Sequence, residues 1–134
     1  DDSVMADNAS LLAPEDIAVV ARHFSTQSNP EPGIDEADAD TPLGEHLFLQ
    51  GDSARDLPAC ASCHVNSADP DRFPHITAQH RDYIAKQLRD FKAAIRTNDP
   101  KGVMRSVAAK LDDREIAAIA AYAARQERQK RRQP

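Results

Sequence analysis

Two thiols and an imidazole fall within five residues, Cys60-Ala61-Ser62-Cys63-His64. Thiols three positions apart on a tight helical turn can each form a thioether to one haem vinyl group. The residue that follows then lies under the ring face, where a neutral imidazole can bind iron. This C-x-x-C-H spacing is the attachment signature of c-type haem. Half of a zinc site would want a second Cys/His pair at motif spacing, and the chain has two cysteines in all. A redox dithiol of the thioredoxin kind would want a βαβ setting, which the sequence pattern does not offer. One covalently bound haem c is therefore expected on Cys60, Cys63 and His64, with no cysteine left for a disulfide.

An iron held by one histidine takes a sixth ligand, a water or an open position. The chain has two methionines, and Met104 follows His64 by forty residues. It comes after Pro100 and Gly102, in what reads as a loop between two helices. Thioether sulfur is a soft ligand that favours reduced iron and raises the potential. A methionine filling a core gap is the ordinary alternative, but a loop setting is not that of a helix-face core residue. His23, His46, His75 and His80 are rivals. His75 and His80 follow His64 too closely to reach the opposite ring face easily, and His46 sits on a helix among apolar neighbours.

The elements that must carry these residues are helical. The chain of 134 residues has no tryptophan and only six other aromatics, and its apolar residues are mostly alanine. That makes a thin core, and a covalent haem would supply the apolar centre that a small domain needs. Residues 14–26 read as a helix, with Pro14 at its first position, Glu15 and Asp16 in the first turn, and a stripe of Ile17, Val20, Ala21 and Phe24. Residues 28–42 read as an extended acidic, Pro-rich linker. Residues 43–50 form a short helix ended by Gly51, with Leu43, Leu47 and Phe48 inward. Residues 52–59 and 65–78 read as loops. Residues 79–96 form a helix on the stripe Ile84, Leu88, Phe91 and Ile95. Residues 113–127 form the last helix, with Asp112 or Asp113 near its start. The stretch from Arg125 to Arg132 carries five bases and reads as a solvated helix end that suits the dipole. Residues 1–10 give no assignment. No apolar run is long enough to span a membrane. No signal segment is recognisable, as expected of a mature form.

Charge is uneven. Residues 1–40 hold ten acids and one base, net −9, and residues 41–134 hold twelve acids and sixteen bases, net +4, which together give the chain's −5. An acidic leader beside a mildly basic body solvates two surfaces, and could also bias the choice of partner. Binding of nucleic acid is not expected.

Residues 43–126 resemble class I cytochromes c, and most closely one domain of the tandem dihaem cytochrome c-four family. The matching residues are Gly44 and Phe48, Cys60 to His64, Phe73-Pro74-His75-Ile76-Thr77-Ala78-Gln79, Tyr83, Gln87-Leu88, Arg96, Asn98-Asp99-Pro100, Met104 and Ile116 to Tyr122. The resemblance implies an all-α fold of three main helices around one covalent haem, here with an extra N-terminal helix and linker. It implies that Gly44 and Phe48 pack against Tyr122 where the first and last helices cross. It implies that the Pro74 carbonyl accepts a hydrogen bond from His64, that Ile76 packs on the haem, and that Gln79, Tyr83 and Arg96 lie near the propionates. Val65 and Ala78 stand where the family commonly has glycine, and the loop to Phe73 is short, so the loop path stays open. Covalent haem attachment in this family occurs outside the cytoplasm, which implies a periplasmic protein.

The chain also resembles itself. Shifted by 99, Met5, Ala9, Leu12, Ile17, Ala18, Ala21 and Gln27 fall on Met104, Ala108, Leu111, Ile116, Ala117, Ala120 and Gln126. An internal repeat bears on the domain count. Residues 1–27 read as the tail of a preceding haem domain without its attachment motif, residues 28–42 as the linker, and residues 43–134 as the cytochrome domain with its basic tail.

The expected function is electron transfer by a single haem with His64 and Met104 on the iron, exchanging electrons with redox partner proteins. No acid, base or nucleophile beside an open coordination position suggests catalysis. The alternative is a haem c subunit of a redox enzyme that serves a flavoprotein or another catalytic subunit, since cytochrome subunits of flavocytochrome c sulfide dehydrogenases look similar. A ligand-binding or peroxidase haem would require Met104 to leave the iron.

Overall fold

A computed structural model describes residues 3–27, 41–69 and 72–126. Most of the linker, residues 28–40, and the tail beyond Gln126 lie outside the described residues. The chain divides into two compact units, Asp1–Glu31 and Pro32–Pro134.

The first unit holds α1 (Ser3–Ser10) and α2 (Pro14–Ser25). Helix α1 falls where the sequence offers no assignment, since its eight residues carry only a weak apolar stripe. Pro14 opens α2, with Glu15 and Asp16 in its first turn and Arg22 and His23 in its last, a distribution that suits the dipole. No residue of α2 is buried, and Phe24 is 68% exposed.

The second unit is built on the crossing of α3 (Thr41–Leu49) and α7 (Asp113–Arg125). The crossing is close because Gly44 has no side chain. A Cβ there would lie 2.2 Å from the Ala118 carbonyl oxygen. One turn on, the rings of Phe48 and Tyr122 meet at 5.4 Å between centroids. Asp112 caps α7: its side chain accepts from the Glu115 amide at 2.7 Å, and Glu115 accepts in return from the Asp112 amide at 2.9 Å. Gly51 ends α3 in the left-handed region, at φ +72°.

Helix α5 (Arg81–Lys92) packs on α7, and the short α6 (Val103–Ala108) packs on α5. The core joins Leu47, Phe48, Leu57, Ile84, Leu88, Leu111, Ile116 and Ile119. Among the described residues there is no strand. Asp52 and Leu57 form an isolated antiparallel bridge that closes a 3₁₀ turn at Ser53–Arg55.

Three expectations change. Helix α5 is shorter than the expected span 79–96, and Ile95 lies beyond it, 70% exposed. The cause is a Schellman end in which Ala94 adopts φ +54°, its amide donating to Phe91 O and the Ile95 amide to Asp90 O. Alanine at that position gives no sequence signal where glycine would. Met104 is not in a loop: it sits in the first turn of α6. Lys101 and Gly102 are both left-handed, so the chain reverses after Pro100 and re-enters a helix at once.

Candidate functional site

The short helix α4 (Cys60–His64) follows directly on the Asp52–Leu57 turn and packs against α3. Its three-residue spacing puts both thiols on one side, at the edge of a cavity of about 450 Å³ in the second unit. Apolar side chains from every wall line it, including Leu57, Ile84, Leu88, Phe91, Val107, Leu111 and Ile119. Cys60, Cys63, His64, Pro74, Ile76, Gln79, Tyr83, Arg96 and Met104 all lie on this lining. The site residues expected from the sequence are thus brought to one cavity from α4, the loop after it, α5, the loop that follows α5, and α6.

The imidazole of His64 is oriented by backbone. Its Nδ1 lies 2.7 Å from the Pro74 carbonyl oxygen. A carbonyl can only accept, so Nδ1 carries the proton and Nε2 keeps its lone pair. Burial holds the ring below the ordinary histidine pKa, and nearby His75 pushes the same way, while the bond to Pro74 opposes them. The result is a neutral imidazole, the form that ligates metals.

Burial pushes the Cys60 thiol up to about 11, with Cys63 adding to the effect. A thiol held protonated is a poor nucleophile for disulfide exchange, so the redox-dithiol alternative loses ground. Among the described residues no cluster of three or more His, Cys, Asp or Glu side chains could hold a metal.

On the same lining, Arg96 lies with its guanidinium 4.6 Å from the Phe91 ring centroid. Its Nε donates to Asn98 Oδ1 at 2.8 Å and its Nη1 donates to Gln87 Oε1. Tyr83 is half exposed on α5. Gln79 precedes the helix and accepts from the His80 amide at 2.8 Å. Gln87 and Asn98 carry the family resemblance, but their bonds to Arg96 have no periodic signature. Asp99, in the Asn98-Asp99-Pro100 stretch, has a role at the site that no sequence signal marks. Burial would raise its carboxyl, but the Arg105 amide and guanidinium outweigh this and hold it below the ordinary carboxylate range.

The cavity fits a flat, largely apolar macrocycle with a polar edge: apolar walls, two thiols and an imidazole on one side, a thioether among the lining residues, and a cation at the rim. Residues 43–125 match the model of the cytochrome c family. The chain belongs to the cytochrome c family. It is 40% identical over 123 residues to a cytochrome c4 of Azotobacter vinelandii, covering 88% of this chain and 56% of that protein. It is 31% identical over 127 residues to a protein of Thiomonas intermedia named thiosulfate dehydrogenase electron acceptor, covering 92% and 58%. Among solved structures it is similar to the reduced recombinant cytochrome c4 of Pseudomonas stutzeri, with a TM-score of 0.68, 38% identity, and coverage of 78% and 56%. The chain therefore spans little more than half the length of the relatives it matches.

The fold is that of class I cytochromes c, and the cofactor of this cytochrome domain is covalently bound haem c. Among the described residues no helix is long and apolar enough to cross a membrane.

Proposed function

We propose that Cys60 and Cys63 hold one haem c by thioethers, that His64 Nε2 and Met104 sulfur are its two axial ligands, and that the domain passes single electrons between redox proteins of the periplasm. The observation that carries this reading is the His64–Pro74 bond: it aims an unprotonated ring nitrogen from the thiol side of a cavity that Met104 also lines. When bound, the haem supplies a one-electron change between ferric and ferrous iron. The chain does the rest. The Pro74 carbonyl fixes the imidazole tautomer. Leu88, Phe91, Val107 and Ile119 exclude water, which limits rearrangement as charge changes. Ile76, Gln79, Tyr83 and Arg96 line the same cavity; Ile76 would pack against the ring, and Gln79, Tyr83 and Arg96 would give the propionates a polar edge. Two protein ligands leave no coordination position for a substrate, so the domain is a carrier and not a catalyst.

A second reading has a specific support. One relative bears the name of an electron acceptor of thiosulfate dehydrogenase, which favours a partner that is itself an oxidoreductase, whether met transiently or held as a subunit. Residues 1–27 we read as the C-terminal segment of a preceding haem domain. What supports this is that Ser3–Ser10 and Pro14–Ser25, shifted by 99, fall on the spans of α6 and α7.

The test is Met104→Ala in the haem-loaded protein. The potential should fall and the iron should bind added carbon monoxide or imidazole. A spectrum and potential unchanged from wild type would sink the ligation, and haem-loaded chain recovered from the host cytosol would contradict the compartment.

A further inference from the structure

Helix α6 has six residues, too few to be stable on its own. Its N-cap, Gly102, offers no side chain, and the two residues before Val103 are left-handed, Lys101 at φ +59° and Gly102 at φ +71°. Left-handed backbone at a lysine is strained and persists only where its surroundings hold it. The holding group is Asp99. Its Oδ2 accepts the Arg105 backbone N–H at 3.0 Å, its Oδ1 accepts Arg105 Nε at 2.8 Å, and its carbonyl accepts the Gly102 amide at 3.1 Å. The carboxylate does this from inside the protein, with its side chain 3% exposed.

Arg105 is the third residue of α6, so Asp99 acts as an N-cap placed across the turn, satisfying an amide that Gly102 cannot. Met104 lies inside that closed loop of bonds, and Asp99 and Met104 both line the cavity. A thioether brings no charge to hold it on a metal. Its retention depends on the backbone that presents it. We infer that Asp99 is the positioning residue for Met104: by bonding the amide and the guanidinium of Arg105 across the Lys101–Gly102 reversal, it fixes where the thioether sits and keeps external ligands off the iron. This rests on the reading that Met104 is an axial ligand.

The experiment is an imidazole titration of the ferric, haem-loaded protein, followed by absorption, for wild type and four variants. Asp99→Ala removes both side-chain bonds. Asp99→Asn keeps one acceptor oxygen and loses the charge. Met104→Ala reports the fully released ligand. Arg55→Ala breaks a comparable clamp that includes neither Asp99 nor the Lys101–Gly102 reversal, in which Arg55 bonds Asp52, Glu115 and the Lys110 carbonyl. Apparent affinity rises with the population in which the thioether is away from the iron. Asp99→Ala should therefore bind imidazole about tenfold or more tightly than wild type, Asp99→Asn should fall between the two, and Arg55→Ala should match wild type. If Met104→Ala binds tightly while both Asp99 variants match wild type, the positioning role is wrong and the ligation stands. If Arg55→Ala gains as much as Asp99→Ala, general loosening explains the effect and the inference falls. If Met104→Ala itself binds no better than wild type, the ligation reading fails and takes this inference with it. Should Asp99→Ala not accumulate with haem, Asp99→Asn decides by the same criteria.

Discussion

Gly44→Ala puts one methyl group into the close backbone approach between α3 and α7. The added carbon would meet the Ala118 oxygen at 2.2 Å, the Ala118 carbonyl carbon at 2.7 Å and Tyr122 Cβ at 3.1 Å. The first two are backbone atoms of α7 and cannot swing aside. Restoring an ordinary C···O separation of about 3.3 Å would push α3 and α7 apart by about 1 Å. Interiors are too closely packed to absorb that locally, so the Phe48–Tyr122 contact and the packing of Leu47 on α7 would loosen with it. Overpacking of this kind costs about 3 kcal/mol, the upper part of its usual range. Alanine returns up to about 1 kcal/mol through helix propensity, for a net loss of about 2–3 kcal/mol. In a domain of this size each kcal/mol moves the melting temperature by about 4–8 °C, so a drop of about 10–20 °C is expected. The assay is thermal unfolding of the haem-loaded protein at one fixed oxidation state, read by far-UV circular dichroism. The absorption spectrum at low temperature should stay close to wild type, because the thioethers and axial ligands are not touched. A melting temperature within about 2 °C of wild type would refute the claim that a backbone-to-backbone crossing at Gly44 sets the helix packing.

Ala78 sits at φ +56°, with its amide donating to the Ala123 carbonyl at 3.1 Å. Ala78→Gly should stabilise the protein by about 0.5–1 kcal/mol, the left-handed penalty less the extra chain entropy of glycine; an unchanged or lower melting temperature would count against that backbone conformation. Glu115 is held below its ordinary carboxyl pKa by the Arg55 guanidinium, with the Asp112 amide also lowering it against its burial. A carboxyl with a lowered native pKa adds stability that is complete above the unfolded value, 4.5, and is lost as pH falls through the native value. Melting temperature should therefore fall as pH is lowered from about 6 to about 3, and Glu115→Gln should flatten that dependence; parallel curves would refute it. Deleting residues 1–27 should leave the haem spectrum intact, because every residue lining the cavity lies between Leu57 and Ile119. It should also lower stability or weaken association, since α2 carries an exposed apolar stripe that has reason to be covered; a truncated protein matching the full chain in melting temperature, oligomeric state and partner binding would make the leader a passive tail.

The parts of this protein that were legible in the sequence are those where chemistry or periodicity leaves no choice. Cys60 to His64 is a fixed spacing with few other uses, and the stripe of Ile84, Leu88 and Phe91 has one helical reading. What stayed hidden were the positions at which tertiary context imposes a backbone that the residue itself disfavours. Ala94 ends α5 where a glycine would have announced the end, and so Ile95, in register with the stripe, is exposed instead of buried. Lys101 and Ala78 hide turns for the same reason. The reversal at Lys101–Gly102 also concealed that Met104 rides a helix, because six residues give no period to read.

What holds the haem-binding residues in place bears on function as much as the residues themselves. The motif says which atoms can bind the haem, but not what holds them in place. On one side the Pro74 carbonyl does so through His64 Nδ1. On the other, a side chain five residues from Met104 reaches back over a strained turn to grip the residue next to it. With His64 and Met104 as the ligands we propose, an electron carrier needs both supports, because its iron must change charge without its ligands moving. A sequence shows ligands as residue types at intervals. The supports are bonds between a side chain and another residue's backbone: the family resemblance implies the one at Pro74, and the one at Asp99 comes into view only when the chain is folded.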